Sequence, residues 1–375
     1  MNNYLLPSGF RDLLPPDARR EQMLMGDILN VFHRFGYVQV SPPFMEFEET
    51  LLSGKGKSYD PFTFRVMDPM ANKMMGIRAD MTMQVTRIAA ARLANSEKPL
   101  RLSYAGRVLR VQTDGLSSDR QLSQAGIELI GSASPAADAE IILAIVEALK
   151  AVGHTDLVLD ISLGGLMDKI LGEARIADAE KQTIRDAVKE KNSDRLNDKS
   201  ITSHTVKALL QMTYAPTTAM DKIVSLDLPS EAKVQVAAMK EAIAAVRAAA
   251  PDLQISLDPL EVHGFDYHDG LCFSVFLKAS RIEVGRGGRY LMEDAEGNVT
   301  PAAGATLYLR ALMQAANKEG EEKTYVPFAF AGQARALRET GMIAIVGLEA
   351  EKDVKAEAKR LGCTQLFDGT KTGKI

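Results

Sequence analysis

Two neighbouring stretches carry polar side chains at the even spacing that a β-strand places on one face. Within residues 99–131, Arg110 and Gln112 share a face of a first predicted strand, and Gln124 and Glu128 share a face of a second. An arginine pairs well with a carboxylate, while a glutamate accepts hydrogen bonds from N–H groups. The hairpin therefore predicts a site for a small ligand that carries both groups. The alternative is an ordinary solvated hairpin, because antiparallel sheets often leave one face in water.

Two further groups of residues could complete such a site. Asp80 and Thr82 lie at a predicted helix start, where they either bind the ligand or merely cap the helix, since both are favoured N-cap residues. Tyr267, His268 and Tyr290 stand in or beside glycine-containing segments of the second half of the chain. In one interpretation they wall the pocket. In the other, the tyrosines are core aromatics and the histidine is a hydrogen-bonded polar residue in a cleft.

Composition indicates a globular protein without a membrane span. The chain has 375 residues, of which 46% are apolar and 25% are charged, and its net charge is −4. No apolar run approaches the 18 residues of a spanning helix, and the N-terminus lacks the basic and apolar regions of a signal peptide. We therefore expect a cytoplasmic protein. Cys272 and Cys363 are isolated and lack metal-ligand spacing, so neither a metal site nor a cofactor is predicted.

The elements that must position these residues form an α+β core. Alternating apolar residues in 255–309 indicate strands that return after an alanine-rich helical stretch. We predict a mixed sheet assembled from both ends of residues 1–320, with a helical insertion at 165–251. Residues 321–375 contain one strand, one helix and one strand, which predicts a small, truncated C-terminal βαβ unit. Helical periodicity before the insertion covers 17–35, 83–94 and 138–151.

The hairpin resembles motif 2 of the class II aminoacyl-tRNA synthetases, and that of the histidyl enzymes most of all. Its second strand carries the Gln-x-Gly-x-Glu pattern of that family at 124–128. The resemblance implies the class II catalytic-core fold, a mixed and mainly antiparallel sheet flanked by helices. Further segments are similar to the family's other motifs, in the family's order: PSGFRDLLP at 7–15, GYVQVSPPFMEF at 36–47 with the dimer-interface proline at Pro43, RADMT at 78–82, HGFDYH at 263–268 and GGRY at 287–290.

Several positions depart from the synthetase pattern where nucleotide chemistry needs charge. Gln112 replaces the glutamate of motif 2, and His263 replaces the arginine of the histidine-specific motif. The end of motif 3 aligns Arg310 with a glutamate and Ala311 with the arginine that would lie against ATP. Losing one preorganised electrostatic partner slows an enzyme by about 10² to 10³. The pattern implies a site that has kept the amino acid and lost the nucleotide.

A histidyl-synthetase core with these losses resembles the regulatory subunits of ATP phosphoribosyltransferase, over about residues 4–312. The resemblance implies a non-catalytic subunit, which a short-form catalytic subunit requires for the first step of histidine biosynthesis and for feedback by L-histidine. It further implies a homodimer through the motif 1 region within a hetero-octamer. The implied histidine-binding residues are Asp80, Thr82, Arg110, Gln124, Glu128, Tyr267, His268 and Tyr290.

Nucleic acid is not among the expected partners. Residues 318–375 hold 10 Lys and Arg against 9 Asp and Glu, and the segment is too short for the anticodon-binding domain of a histidyl-tRNA synthetase. Two alternatives stay open: an active minimal histidyl-tRNA synthetase or adenylate-forming ligase, and a tRNA-sensing binding module. Histidine-dependent exchange of pyrophosphate into ATP would identify the first. Binding of uncharged tRNA without a response to histidine would identify the second.

Overall fold

The computed structural model describes residues 5–112, 119–196, 200–261, 268–294, 296–315 and 321–375. The chain forms two compact units, Met1–Ala316 and Asn317–Ile375. No helix within the described ranges is long and apolar enough to cross a membrane.

The first unit alternates helices and strands and has a run of helices in its middle. Its helices are α1 (Asp17–Arg34), α2 (Glu48–Leu51), α3 (Thr82–Ala91), α4 (Pro135–Ala151), α5 (Leu166–Glu173), α6 (Asp178–Lys189), α7 (Ile201–Leu210), α8 (Met220–Ser225), α9 (Ser230–Ala249) and α10 (Leu309–Ala315). Its strands are β1 (Val38–Gln39), β2 (Met45–Phe47), β3 (Phe64–Asp68), β4 (Lys73–Ile77), β5 (Leu100–Leu109), β6 (Gln121–Ile130), β7 (Leu157–Gly164), β8 (Ala215–Pro216), β9 (Gln254–Leu257), β10 (His268–Leu277), β11 (Glu283–Glu293) and β12 (Val299–Tyr308).

Nine of these strands form one sheet in the order β1-β5-β6-β12-β11-β10-β7-β9-β8. Strand β1 pairs with β5, and β9 pairs with β7, in parallel. The other neighbours pair antiparallel. Strands β5 to β7 precede the helical segment and β10 to β12 follow it, so both ends of the unit build the sheet. The predicted fold class, a mixed and mainly antiparallel sheet flanked by helices, is confirmed.

The two faces of the sheet carry different side chains, because successive residues of a strand point in opposite directions. On β6, Ile127 and Leu129 enter the larger core, which α1, α4 and α9 cover. Ile130 enters a smaller cluster on the opposite face, together with Val85 of α3. Glu128 lies two residues before Ile130 and therefore belongs to this second face. The cavity that Glu128 lines lies on this face.

Helix α4 begins three residues earlier than its periodicity indicates. The Ser134 hydroxyl accepts a hydrogen bond from the Ala136 N–H at 3.2 Å, and Pro135 occupies the first helical position. Ile141, Ile145 and Leu149 follow at intervals of four residues and are fully buried. The first turn of the helix is thus set by a polar cap, and apolar periodicity alone does not predict it.

The first strand of the ligand hairpin ends before Arg110, so the expectation that Arg110 and Gln112 share a strand face is wrong. The chain leaves the sheet here because the Val111 N–H donates to the Phe62 carbonyl at 2.9 Å, outside the hairpin. Arg110 turns inward and is buried, whereas Gln112 is exposed. The two residues therefore face different environments.

The segment 165–251 is mainly helical, as its alanine-rich composition predicts. It also supplies one strand to the large sheet, because β8 pairs with β9 at the edge. A separate three-stranded sheet has the order β2-β4-β3 and lies in the motif 1 half of the unit.

The C-terminal unit is larger than the single βαβ that the sequence predicts. Its sheet has four strands in the order β14-β13-β15-β16, and β13 pairs in parallel with both β14 and β15. The central strand was missed because it is only four residues long and follows a charged segment. Its elements are β13 (Lys323–Val326), α11 (Ala334–Glu339), β14 (Ile343–Val346), α12 (Val354–Arg360), β15 (Gln365–Phe367) and β16 (Thr372–Lys374).

Candidate functional site

A small cavity on the α3 side of the sheet brings together five of the predicted ligand residues. Its free volume is about 30 Å³, room for one or two water molecules. Strands β6, β10, β11 and β12 and the start of α3 contribute its walls. The predicted residues that line it are Asp80, Thr82, Glu128, His268 and Tyr290.

Glu128 is the most enclosed charged group of the cavity, with 1% of its surface exposed. It stands on β6 directly opposite Gly304 of β12. A Cβ atom at position 304 would overlap the Glu128 carboxyl group. A glycine is therefore required there, since only a residue without a side chain leaves room for the carboxyl group between the strands.

Two tyrosine hydroxyls hold the Glu128 carboxyl group. The Tyr290 hydroxyl donates to Oε2 at 2.8 Å, and the Tyr104 hydroxyl donates to Oε1 at 3.2 Å. The Tyr104 oxygen also lies 3.1 Å from Thr82 Oγ1 and 2.9 Å from Thr306 Oγ1. Tyr104 thus connects α3, β6 and β12 through one atom, and it was not among the residues predicted to form the site.

Burial shifts the protonation of this network. The pKa of Glu128 is raised from 4.5 to about 8, because burial disfavours the carboxylate and Asp80 adds a second negative charge nearby. Hydrogen bonds from Tyr290, Thr82 and Tyr104 act in the opposite direction and only partly compensate. The pKa of Tyr104 is likewise raised, first by burial and then by the charges of Glu128 and Asp80.

Asp80 contacts the start of α3 and also borders the cavity. Its Oδ1 accepts the Thr82 backbone N–H at 2.8 Å, at the first residue of α3, and its Oδ2 accepts the Gln124 amide at 3.0 Å. Asp80 precedes the N-cap residue, Met81, so it is not the helix cap itself. Gln124 is fully buried behind Asp80 and lies outside the set of residues that line the cavity.

The remaining predicted residues are distributed differently. His268 begins β10 opposite Tyr290 and lines the cavity. Arg110 is also outside the lining set, because its Nε donates to the Ala79 carbonyl at 3.1 Å. Its charge still acts on Tyr308. Burial raises the pKa of Tyr308 to about 12, and the positive charges of Arg286 and Arg110 act in the opposite direction. Tyr267 lies outside the described residues.

Several lining residues were not predicted from sequence. Arg286 of β11 forms two hydrogen bonds with Glu283, at 2.6 and 2.9 Å, and its guanidinium lies 5.9 Å from the centre of the Tyr308 ring. Thr306 contacts Tyr104, as described above. The two-residue spacing of Thr306 and Tyr308 along β12 could have indicated these two, whereas Tyr59 and Arg286 lie in no alternating polar pattern. The unpredicted side chains of the wall are Tyr59, Arg286, Thr306 and Tyr308.

Arg289, in the GGRY segment, anchors β11 instead of entering the cavity. Its guanidinium bonds to both carboxylate oxygens of Asp138 at 2.8 to 3.2 Å and to the carbonyls of Ser132 and Ser134 at 2.8 and 3.0 Å. Asp138 is 3% exposed. This contact joins β11 to the first turn of α4 and so fixes the position of the neighbouring residue, Tyr290.

Charged groups beyond the cavity pair with each other. Arg310, at the start of α10, forms an ion pair with Asp119, which precedes β6. Ala311 is partly buried against the larger core. Gln112 is exposed, and His263 lies outside the described residues. Among the residues that the structure describes, no three His, Cys, Asp or Glu side chains form a group that could hold a metal ion.

Comparison with known proteins gives consistent results. The family model described as "Histidyl-tRNA synthetase" matches residues 9–312. The ATP phosphoribosyltransferase regulatory subunit of Rhodospirillum centenum is 39% identical and covers 99% of this chain and 96% of its own length. The subunit of the same name from Paramagnetospirillum magneticum is 40% identical, with coverages of 96% and 95%.

Solved structures show the same fold at lower identity. An ATP phosphoribosyltransferase regulatory subunit/histidyl-tRNA synthetase from Bacillus halodurans C superposes with a TM-score of 0.81 at 23% identity, over 96% of both chains. Histidyl-tRNA synthetase from Nostoc sp. PCC 7120 gives 0.78 at 20% identity, over 97% of this chain and 90% of that one. At these identities the likeness concerns the fold alone.

Proposed function

The chain belongs to the family of ATP phosphoribosyltransferase regulatory subunits, and on this premise we propose that it is a non-catalytic subunit that binds L-histidine around Glu128 and regulates a separate catalytic subunit. Its histidyl-tRNA synthetase domain would then serve as a sensor of the amino acid. The catalytic subunit is the short form of ATP phosphoribosyltransferase, and histidine is the feedback effector of the complex.

The observation that carries this proposal is the arrangement of acceptors in the cavity. An imidazole ring in its protonated form offers two N–H donors, and an amino acid adds an ammonium group. Glu128 is held between two tyrosine hydroxyls, and the second carboxylate, Asp80, borders the same space. Both carboxyl groups already accept hydrogen bonds from the protein, and a cationic or hydrogen-bond-donating ligand would add partners and offset the two negative charges. Histidine supplies both kinds of group.

The non-catalytic role is supported by three positions at which this chain lacks the charged residue of the synthetase pattern. Arg310 is engaged by Asp119, and Ala311 stands where the pattern has an arginine. Gln112 points to solvent. Transfer of an adenylyl group from ATP depends on preorganised charges around the reacting groups, so each such change weakens adenylate formation.

The proposed assembly rests on the three-stranded sheet in the motif 1 half. Phe47 on β2 and Val66 and Met67 on β3 are exposed, by 36%, 45% and 53%, together with Phe44 just before β2. Phe47 and Val66 both pair with Met75 of β4, so they lie on one face of this small sheet. An exposed apolar face of this kind suits a contact between two copies of the chain. We propose that this surface forms the homodimer and that dimers join the catalytic subunits in a hetero-octamer.

Two measurements test the function together. Titration calorimetry should detect one histidine site per chain, and histidine should inhibit the mixed complex with the short-form catalytic subunit. Glu128→Ala should weaken the inhibition by about 10- to 150-fold, because a hydrogen bond to a charged group contributes about 1.5 to 3 kcal/mol. The mass of the complex should not change. Glu140→Gln, which alters a carboxyl group paired with Arg101 outside the cavity, is the control.

Other results would favour the alternatives. An unchanged inhibition curve for Glu128→Ala would move the effector site elsewhere. Histidine-dependent exchange of pyrophosphate into ATP by the isolated chain, above a blank without protein, would indicate an active synthetase or ligase. Binding of uncharged tRNA without a response to histidine would indicate a tRNA-sensing module.

A further inference from the structure

Glu128 lies in a network that can satisfy it with or without a proton. As a carboxylate it accepts hydrogen bonds from Tyr290 and Tyr104. As a carboxylic acid it must donate one hydrogen bond, and the Tyr104 oxygen can accept it. The Tyr104 hydroxyl then turns to Thr306 Oγ1, at 2.9 Å, or to Thr82 Oγ1, at 3.1 Å. Hydroxyl groups can both donate and accept hydrogen bonds. Every buried polar atom in this network therefore keeps a partner whether Glu128 is a carboxylate or a carboxylic acid.

The charged groups around Glu128 favour the neutral state when the pocket is empty. Asp80, from the start of α3, is the other carboxyl group facing the cavity, and Tyr104 of β5 and Tyr290 of β11 contact Glu128 directly. Among the residues that the structure describes, Glu128 forms no ion pair with a lysine or arginine. Arg286 of β11 lines the cavity but is bonded to Glu283, and His268, at the start of β10, lines it beside its strand partner Tyr290.

We propose that Glu128 is protonated in the empty pocket and transfers this proton to the imidazole ring of the entering ligand, so that the bound pair is a carboxylate and an imidazolium. The O–H bond of Glu128 breaks, and an N–H bond forms at the unprotonated ring nitrogen, with the electron pair of the O–H bond left on Glu128. No other reactant is needed. This inference rests on the proposed binding of histidine in this cavity.

The transfer makes affinity depend on pH in a defined way. Burial and Asp80 raise the pKa of Glu128 to about 8, and a free imidazole has a pKa of about 6.5. Between these two pKa values, Glu128 already carries the one proton that the bound pair contains. No proton is then taken up or released on binding, so affinity does not change with pH. Above about 8 the proton must come from solvent, and affinity falls about tenfold per pH unit. Below about 6.5 both partners are protonated, one proton is released on binding, and affinity falls again.

The same transfer defines which ligands the pocket accepts. A five-membered ring must have a nitrogen basic enough to take the proton of Glu128. The 1,2,4-triazole analogue of histidine has nearly the same shape, but its additional ring nitrogen makes the ring much less basic. It should bind at least about tenfold more weakly than histidine at neutral pH, because the proton then stays on Glu128 and the charged pair does not form.

The decisive experiment is a nitrogen NMR spectrum of ring-labelled histidine bound to the full chain at about pH 7.5, above the pKa of the free ring. We expect the shifts of a doubly protonated imidazolium in the wild type and of a neutral ring in Glu128→Gln. A neutral ring in the wild type would overturn the transfer but leave histidine binding intact. Absence of any bound signal would overturn the proposed function itself.

Titration calorimetry across about pH 6 to 9.5 provides the second measurement. The α-ammonium group of the ligand also titrates at high pH, so the informative quantity is the difference between variants. Wild type and Glu140→Gln should lose affinity more steeply above about pH 8 than Glu128→Gln does. Equal slopes in the three proteins would contradict the proposal. Where Glu128→Gln binds too weakly for calorimetry, the spectrum of the wild type alone decides.

Discussion

Burial of Glu128 should lower the stability of the folded protein. Its carboxyl group is buried opposite Gly304, with hydroxyl groups as partners. A carboxylate is poorly solvated in such a place, so its charged form is disfavoured by folding. If Glu128 binds histidine as proposed, this loss of stability is tolerated because the group serves the ligand.

This cost should be measurable as a function of pH. The pKa of Glu128 is raised from 4.5 to about 8, so the folded state binds a proton that the unfolded state has lost, and stability falls as pH rises through this range. Glu128→Gln should therefore gain stability over the wild type, with a gain that grows from about pH 5 to about pH 8 and then levels off. Each pKa unit corresponds to about 1.36 kcal/mol. Urea denaturation at several pH values checks it, and a gain independent of pH would refute it.

Tyr104 should be as important to the ligand as residues that face it. Tyr104→Phe removes the hydroxyl that joins Glu128 to Thr82 and Thr306. We expect histidine affinity to fall about tenfold, equivalent to about 1.4 kcal/mol. Since this hydroxyl lowers the pKa of Glu128, the steep part of the pH profile should also move to higher pH.

The matched control for this change is Tyr37→Phe. Tyr37 is equally buried, but its hydroxyl donates to Glu140, away from the cavity. Calorimetry of both variants separates an effect on the ligand from a general loss of stability. Equal affinities in the two variants would show that Tyr104 only supports the fold.

At the scale of elements, the contact between β11 and α4 determines where Tyr290 stands. Arg289→Ala would leave Asp138 buried without its cation, which should cost about 3 to 5 kcal/mol of unfolding free energy. The double variant with Asp138→Ala should be less destabilised than the two single changes combined. Denaturant titrations of the four proteins give the coupling energy. Simple additivity would mean that the contact contributes little.

The sequence predicted the elements better than it predicted the contacts between them. Apolar periodicity located α1, α3 and α4 to within three residues at either end, because each buries a continuous stripe. Tyr104 could not be recognised, since in an alternating strand it looks like any core aromatic residue. Its role depends on Thr306, which is 202 residues further along the chain. The end of β5 was misplaced for a similar reason, as a bond to Phe62 ends the strand.

At the scale of the whole molecule, the exposed apolar sheet should control self-association. Val66→Glu places a charge on β3 in the proposed dimer surface, on the same face as Phe47, and desolvating it on association should weaken the dimer by about 100-fold or more. Val234→Glu is the control, because Val234 is 70% exposed on α9, outside the small sheet. Sedimentation equilibrium of both variants distinguishes a surface-specific effect. A dimer that survives Val66→Glu would place the interface elsewhere.

The small size of the cavity should limit the rate at which a ligand enters it. A space of about 30 Å³ cannot admit an amino acid until the lining side chains move apart. Opening is then a separate step whose rate does not depend on ligand concentration, and in rapid mixing the observed rate should level off as histidine increases. The subunit would act as a filter: a rise in histidine shorter than the opening time passes without a response, and only a sustained surplus slows the enzyme to which it is bound.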